Sequence, residues 1–209
     1  MAWLFPRVYD RLTAATEEAC FQSWRAELLG DVEGDVLEIG AGTGNNLAHY
    51  GPGVTRLVVT DPEQAMLDRL VPRLARVHRG VDVSVKRAGA DALPFPDASF
   101  DVVVATLVLC SVPDQAEALA EVRRVLRPGG RLVFLEHVAA EGRPSRLAWQ
   151  HRVEPVWRRV FAGCHLTRHT AENIAAAGFT LDEGTVKRES ARKATPLVRP
   201  TVRGVATRA

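Results

Sequence analysis

Leu37-Glu38-Ile39-Gly40-Ala41-Gly42-Thr43-Gly44-Asn45-Asn46 decides the fold of this chain. An apolar, β-branched run ends in a glycine-rich turn, and the following residues read as the opening of a helix. Glycine at 40 and 42 lets the backbone turn tightly and pass close to a ligand, because a Cβ there would intrude. The glycines fall as G-x-G-x-G; a dinucleotide fingerprint needs its third glycine at position 45, which is Asn. A nicotinamide oxidoreductase is therefore disfavoured. The acidic residue, Glu38, stands before the glycines, where a carboxylate suits a ligand with an ammonium group.

Outward from this turn, short β-rich runs alternate with helical ones. Strands are expected at 36–39, 56–60, 82–86, 100–107 and 131–135. Gln64 to His78 places Met66, Leu67, Leu70 and Leu74 on one helical face, with Pro72 as a kink. A second helix follows Asp114 as N-cap and stops at Pro128-Gly129-Gly130. Strand–helix–strand repetition implies an α/β, doubly wound, Rossmann-like domain with a mainly parallel sheet. The chain divides into an N-terminal helical cap (1–30, helical from about Thr13 to Leu29), a core (31–141), an insertion (142–168) and a closing segment (169–209). The last holds a helix to Ala177 and strands near 180–188 and 198–207.

With 209 residues and a net charge of +2, the chain suits one domain and carries no general attraction to nucleic acid, so no nucleic-acid partner is expected. Lys187, Arg188, Arg192, Lys193, Arg199, Arg203 and Arg208 face only Glu189 near the C-terminus and read as a solvated face. Cys20, Cys110 and Cys164 are too scattered for a disulfide framework or a metal-ligand spacing; no metal is expected, and a reducing, cytoplasmic setting is. Met1-Ala2-Trp3-Leu4-Phe5 is cut short by Pro6 and Arg7, too early for a secretory signal. The apolar run Val102 to Cys110 is about half of what a membrane-spanning helix needs and reads as a buried strand.

Asp61 ends the second strand about 20 residues past the glycine loop, where a carboxylate can accept from both hydroxyls of a ribose; capping the helix after Pro62 is the alternative. Asp91, in Gly89-Ala90-Asp91-Ala92-Leu93-Pro94-Phe95, follows the third strand. A carboxylate with apolar neighbours suits the amine and flat ring of adenine.

Glu38 to Gly44, Asp61, the segment Leu93-Pro94-Phe95-Pro96-Asp97-Ala98-Ser99-Phe100-Asp101 and Arg127-Pro128-Gly129-Gly130 together resemble class I S-adenosylmethionine-dependent methyltransferases. The resemblance implies a seven-stranded sheet with one antiparallel strand, S-adenosyl-L-methionine as cofactor and S-adenosyl-L-homocysteine as product. It also implies that Gly40, Ala41, Gly42, Gly44 and Asn45 line the methionine moiety. Asp61 and Pro62 would meet the ribose, Asp91 and Ala92 the adenine, and Thr106 and Leu107 would lie under the sulfonium. Tyr9 resembles N-terminal tyrosines that close over the cofactor in such enzymes, though a core aromatic reads equally well.

A narrower resemblance runs through Thr106-Leu107-Val108-Leu109-Cys110-Ser111-Val112, Glu136-His137-Val138, Trp149-Gln150, Pro155-Val156-Trp157, Gly163-Cys164-His165-Leu166-Thr167-Arg168 and Leu197-Val198-Arg199-Pro200. These segments are similar to the alkyl thiol methyltransferases of the methyltransferase-like seven family. That implies a small lipophilic thiol as methyl acceptor; a lipid-like or quinone-like acceptor of N- or O-methylation, or a non-catalytic cofactor-binding module, are the alternatives. The family's N-terminal membrane-associating segment has no counterpart here, so attachment by that means is not expected. No transmembrane segment is expected, and nothing in the sequence signals an oligomeric state.

A thiol reacts as thiolate. His137, at the C-terminal end of the fifth strand, is the candidate base, with a structural role as the alternative. Cys110, Trp149 and Trp157 join His137 as the expected acceptor pocket, the insertion forming its lid. Pro155 is expected to interrupt any long helix there. The insertion's arginines leave room for peripheral membrane contact.

Overall fold

The computed structural model describes residues 5–77 and 80–209, the side chains of residues 5–9 and 12 excepted; the expectations for the Tyr9 side chain and for His78 lie outside these described residues. The sheet runs β1 (Gly34–Ile39), β2 (Val54–Asp61), β3 (Asp82–Arg87), β4 (Phe100–Thr106), β5 (Leu126–His137), β6 (Phe179–Leu181), β7 (Lys187–Ser190) and β8 (Pro200–Arg208). Its spatial order is β3-β2-β1-β4-β5-β8-β6, with β7 also paired to β8. Neighbours from β3 to β5 are parallel, and β8 is antiparallel to β5, β6 and β7.

Among the described residues eight strands replace the expected seven, for a local reason. The expected strand at 180–188 is broken by a turn in which Asp182 accepts from Gly184, Thr185 and Val186. β6 and β7 are its two halves, lying end to end along β8. The single antiparallel strand of the expected sheet is β8.

Alternation builds the two faces. Leu37, Ile39, Val103, Ala105, Leu132 and Phe134 point to one core, against Leu119, Val122 and Ile174 of helices α4 (Gln115–Val125) and α6 (Thr170–Ala176). Val36, Leu57, Val59, Val102, Val104 and Val133 point to the other, with Leu29, Leu47 and Leu70. A sheet buried on both faces explains why its central strands are nearly continuous in aliphatic residues. Asp114 is the N-cap of α4, accepting from the backbone amides of Ala116 (2.7 Å) and Glu117 (3.2 Å).

Four segments differ from expectation. The N-terminal cap is helical from Phe5: α1 (Phe5–Thr16) passes through one π-helical segment (Glu17–Phe21) into α2 (Gln22–Leu29). The residues after Gly42 form successive turns rather than a helix, bonded i to i+3 from Ala41, Gly44 and Asn46. α3 (Gln64–Leu70) tightens at Val71 into a 3₁₀ turn carrying Pro72. Pro155 does not break the insertion, which is a single 17-residue helix, α5 (Pro144–Val160). Pro155 is exposed, so the carbonyl one turn before it, which loses its amide partner, can be met by water.

The chain leaves β1 outward to β2 and β3, then returns to the other side of β1 as β4. Strand order reverses between β1 and β4, and the C-terminal ends of those strands are where open α/β sheets bind ligands.

Candidate functional site

Gly40 and Gly42 carry the glycine turn across this switch point with φ of +57° and +56°. Their roles separate. A Cβ on Gly40 would lie 2.1 Å from Cγ2 of Val108, so Gly40 is bare to admit the chain leaving β4. A Cβ on Gly42 would meet nothing nearer than 4.0 Å. The space beside Gly42 is open for a ligand, which is the fit a closely approaching cofactor requires. Gly44 packs against Leu47 and Leu70 instead.

Asp61 holds this turn in place. Its Oδ2 accepts from the Gly42 amide (2.9 Å) and its Oδ1 from the Glu63 amide (2.9 Å). Each oxygen keeps one further lone pair, enough for a ribose diol. Burial raises its pKa against those two backbone donors. It is not the cap of α3, whose N-cap is Glu63. Pro62 is exposed beside it and its carbonyl accepts from Arg87 (2.8 Å). Asp91 and Ala92 are exposed on the turn after β3, which is tied down where Glu121 accepts from the Leu93 amide (2.8 Å).

Glu38 lies beneath the turn rather than facing a ligand, at 1 % exposure. Tyr50 Oη donates to it at 2.7 Å and Asn46 Nδ2 at 2.9 Å. Burial pushes its pKa up to about 7, against the hydrogen bonds from Tyr50 and Asn46. Asn46 Nδ2 also donates to Thr106 Oγ1 (2.9 Å), joining β1, the glycine turn and β4.

Residues the sequence reading passed over complete this end. Arg25 is 3 % exposed and grips Glu17 through Nε (3.2 Å) and NH2 (3.0 Å). Its NH1 donates to Asn46 and, at 2.9 Å, to Thr106. Arg73 reaches the turn from the far side, donating to the Thr43 carbonyl (2.9 Å) and to Asp10 (2.5 Å), which also accepts from Thr43 Oγ1 (2.6 Å). The N-terminal cap is thereby bolted onto the glycine turn. Asn45 donates to Glu17 (3.3 Å) within the same network. The four-residue spacing of Glu17, Phe21, Arg25 and Leu29 put the charges on a helix's buried stripe, a signal available in the sequence. Two surface clefts of about 640 and 580 Å³ lie elsewhere, and neither is lined by the glycine turn.

On the other side of Val108, Leu107 takes φ +59° and starts a tight turn. Glu136, fully buried, holds that turn by accepting from the amides of Val108 (2.9 Å), Leu109 (2.8 Å) and Cys110 (3.1 Å). Burial raises the Glu136 pKa to about 7 against these three bonds. The next residue, His137, is 5 % exposed, and its Nε2 lies 2.9 Å from Cys164 Sγ. Trp157 Nε1 donates to the same sulfur at 3.3 Å, its ring stacked on Phe161 with centroids 3.9 Å apart. The Cys110 hydrogen bond depresses the Cys164 pKa against burial, helped by the His137 charge; Cys110 is raised in turn. The Cys164 thiolate raises His137 in spite of its burial. His137 Nδ1 is buried with no partner among the described residues. A buried polar atom left so costs about 1–3 kcal/mol.

The structure thus brings together Cys110, His137 and Trp157 of the expected acceptor pocket and adds Cys164. Trp149 does not join them; it is 62 % exposed on α5. His165, next to Cys164 in sequence, turns away to Glu154 (3.1 Å). The basic C-terminal residues are not a bare patch: Lys187 pairs with Glu27 and Arg203 with Glu27 and Glu189.

Residues 37–134 match the family model described as a methyltransferase domain. The human thiol S-methyltransferase TMT1A is 37 % identical over 177 residues, 84 % of this chain and 72 % of that protein. The chain belongs to the thiol S-methyltransferase family. The demethylmenaquinone methyltransferase of Lactiplantibacillus plantarum is more distant, 30 % identical over 74 % of this chain and 69 % of its own length. A SAM-dependent methyltransferase from Thermotoga maritima superposes with a TM-score of 0.69 at 20 % identity, over 100 % of both chains, which shows the shared fold. The chain is an S-adenosylmethionine-dependent methyltransferase.

Proposed function

We propose that this enzyme transfers the methyl group of S-adenosylmethionine to the sulfur of a small lipophilic thiol. The observation that carries the reading is the group formed by buried Cys110 and His137 with half-buried Cys164 and Trp157, which sits one turn beyond Val108, the residue against which the glycine turn packs. The similarity to the human thiol S-methyltransferase, over 84 % of this chain, supports the same acceptor class.

The cofactor supplies an activated methyl group on a positively charged sulfur. The chain's own part is to orient and to exclude water. Gly40, Ala41, Gly42 and Asn45 take the methionine moiety, Asp61 and Pro62 the ribose, Asp91 and Ala92 the adenine. Thr106 and Leu107 form the floor under the sulfonium. Glu38 acts from beneath, through Asn46 and Tyr50, as a positioning residue. Arg25 and Glu17 close the cap over the methionine end. Trp157 and Phe161 give the acceptor an apolar wall, and the rest of α5 covers it as a lid. An ordinary alkyl thiol is only a few per cent thiolate at neutral pH. His137, the expected base, spends Nε2 on Cys164, so its help in deprotonation requires that bond to open.

Among the described residues no helix is long and apolar enough to cross a membrane. With that, the unpaired cysteines support a cytoplasmic enzyme.

A methyl-transfer screen over alkyl thiols, phenols, amines and reduced quinones tests the acceptor. Turnover of alkyl thiols above the rest is expected. The quinone-pathway relative motivates the second reading, a quinone-like acceptor; turnover of reduced quinones with every thiol inert would establish it instead.

A further inference from the structure

Ser111 and the Glu136-bound turn present Cys110 Sγ into the same small volume as His137 and Cys164. One ligand atom from each of Cys110, His137 and Cys164 lies within 4.8 Å of the others. Cys110 and His137 are 2 % and 5 % exposed. Two thiols and one imidazole are the soft and borderline donors that zinc selects. Their spacing in sequence hides the set, because each lies 27 positions from the next. β4, β5 and the segment after α5 deliver them to one point.

We propose that Cys110, His137 and Cys164 bind one zinc ion, with the fourth coordination position open to the acceptor thiolate. The inference rests on the thiol reading of the function and deepens it. Three protein ligands with an open fourth place are the mark of a catalytic rather than a structural zinc site. Zinc–sulfur and zinc–nitrogen bonds of ordinary length set tetrahedral ligands about 3.5–3.8 Å apart. An ion entering here replaces the His137–Cys164 hydrogen bond, which at 2.9 Å must lengthen, and draws Cys110 inward. Two thiolates and a neutral imidazole cancel the ion's charge, so the buried centre is neutral until the acceptor joins it. Arg168, which donates to the Val112 carbonyl at 2.5 Å, supplies a positive charge near the Cys110 turn when the acceptor's charge arrives.

The chemistry balances without a further reagent. The acceptor thiol loses its proton to solvent as its sulfur takes the fourth position, since a coordinating thiol is deprotonated outright. A sulfur lone pair then forms the new sulfur–methyl bond. The bond from the methyl carbon to the cofactor sulfur breaks with its electron pair, giving S-adenosylhomocysteine and a neutral thioether. The thioether is the weaker ligand and leaves.

The test uses the purified full chain. After loading with zinc and exhaustive dialysis, metal analysis is expected to give about one zinc per chain, falling to near none in C164S and in H137Q. Cobalt loading is expected to give a thiolate-to-metal absorption band that grows when 2-mercaptoethanol is added to the wild type and is absent from C164S. Thermal melts check that each variant folds; C164S and H137Q are independent, so either carries the test if the other does not fold. No stoichiometric metal, equal retention by the wild type and both variants, or a cobalt spectrum indifferent to 2-mercaptoethanol would each overturn the proposal. These readouts are independent of turnover. A chain that takes up the thiol on the metal yet methylates no thiol defeats the acceptor reading alone. One that methylates thiols equally well after metal removal by dipicolinate defeats the zinc site alone.

Discussion

Replacing Gly42 by alanine separates the cofactor cradle from the fold. The backbone there has φ +56°, and a left-handed L-residue costs about 1–2 kcal/mol. No protein atom comes nearer than 4.0 Å to the added methyl, so that strain is the whole cost to folding. For a chain of this size it corresponds to a melting-temperature loss of roughly 2–8 °C. The methyl enters the space assigned to the methionine moiety, where overpacking costs a further ~1–3 kcal/mol, or roughly 5–150-fold in Kd. Gly129→Ala is the control: φ is +76°, nothing lies within 4 Å of the added Cβ, and the site is at the far end of the sheet. Calorimetric titration with S-adenosylhomocysteine, paired with thermal melts by circular dichroism, reads both effects. Both variants are expected to melt slightly lower, and only Gly42→Ala to bind weakly. A folded Gly42→Ala protein with wild-type affinity would refute the placement of the cofactor. Gly40→Ala is expected to be far less stable than either, because its methyl would strike Val108.

Other consequences concern the groups around the turn. Asp61→Ala should weaken S-adenosylhomocysteine binding about 10–100-fold with the fold kept, as hydrogen bonds to a charged group are lost; unchanged calorimetric affinity would remove Asp61 from the site. Arg25→Met leaves Glu17 buried without its partner and should cost ~3–5 kcal/mol in urea unfolding; a loss below about 1 kcal/mol would show that the pair is incidental. Glu38 titrates near 7 in the folded chain and at its ordinary 4.5 when unfolded. Its contribution to stability is full below pH 4.5 and is lost as pH rises through 7, by about 3 kcal/mol in all. Glu38→Gln should therefore flatten the fall in unfolding free energy between about pH 4.5 and 7, and an unaltered slope there would contradict the assignment. Trp157→Phe keeps the ring and loses the bond to Cys164, so kcat/KM for a thiol should drop about tenfold, whereas Trp149→Ala on the exposed face should leave it unchanged. Steady-state kinetics with one alkyl thiol distinguish the two.

The features legible in the sequence were those whose meaning is local. Gly40 to Gly44, Asp61 at the end of β2 and the Asp114 cap announce themselves within a few residues, because turn geometry and strand alternation are set by neighbours. Even there, a glycine does not say what it makes room for: Gly40 serves Val108 and Gly42 faces open space. Glu38, expected beside a ligand's ammonium group, is buried under Tyr50 and Asn46, and its bond to Tyr50 joins β1 to the loop that follows it, 12 residues on. Glu136 and Cys164 stayed hidden because each acts across the fold, and for Arg25 the helical stripe signals burial but not its distant partner. Arg25 meets Thr106 81 residues on, and Cys164 meets His137 across the whole of α5. Pro155 does not end α5 because its position is exposed, where water can meet the freed carbonyl.

The most direct test of the acceptor site is a crystal structure of the full chain with S-adenosylhomocysteine and a small alkyl thiol bound together. The cofactor should lie along Gly42 and Asp61, with the thiol sulfur between the cofactor sulfur and the Cys110–His137–Cys164 cluster, under Trp157. A thiol bound anywhere else, or a cofactor seated away from the β1–β4 switch point, would contradict the proposed mechanism.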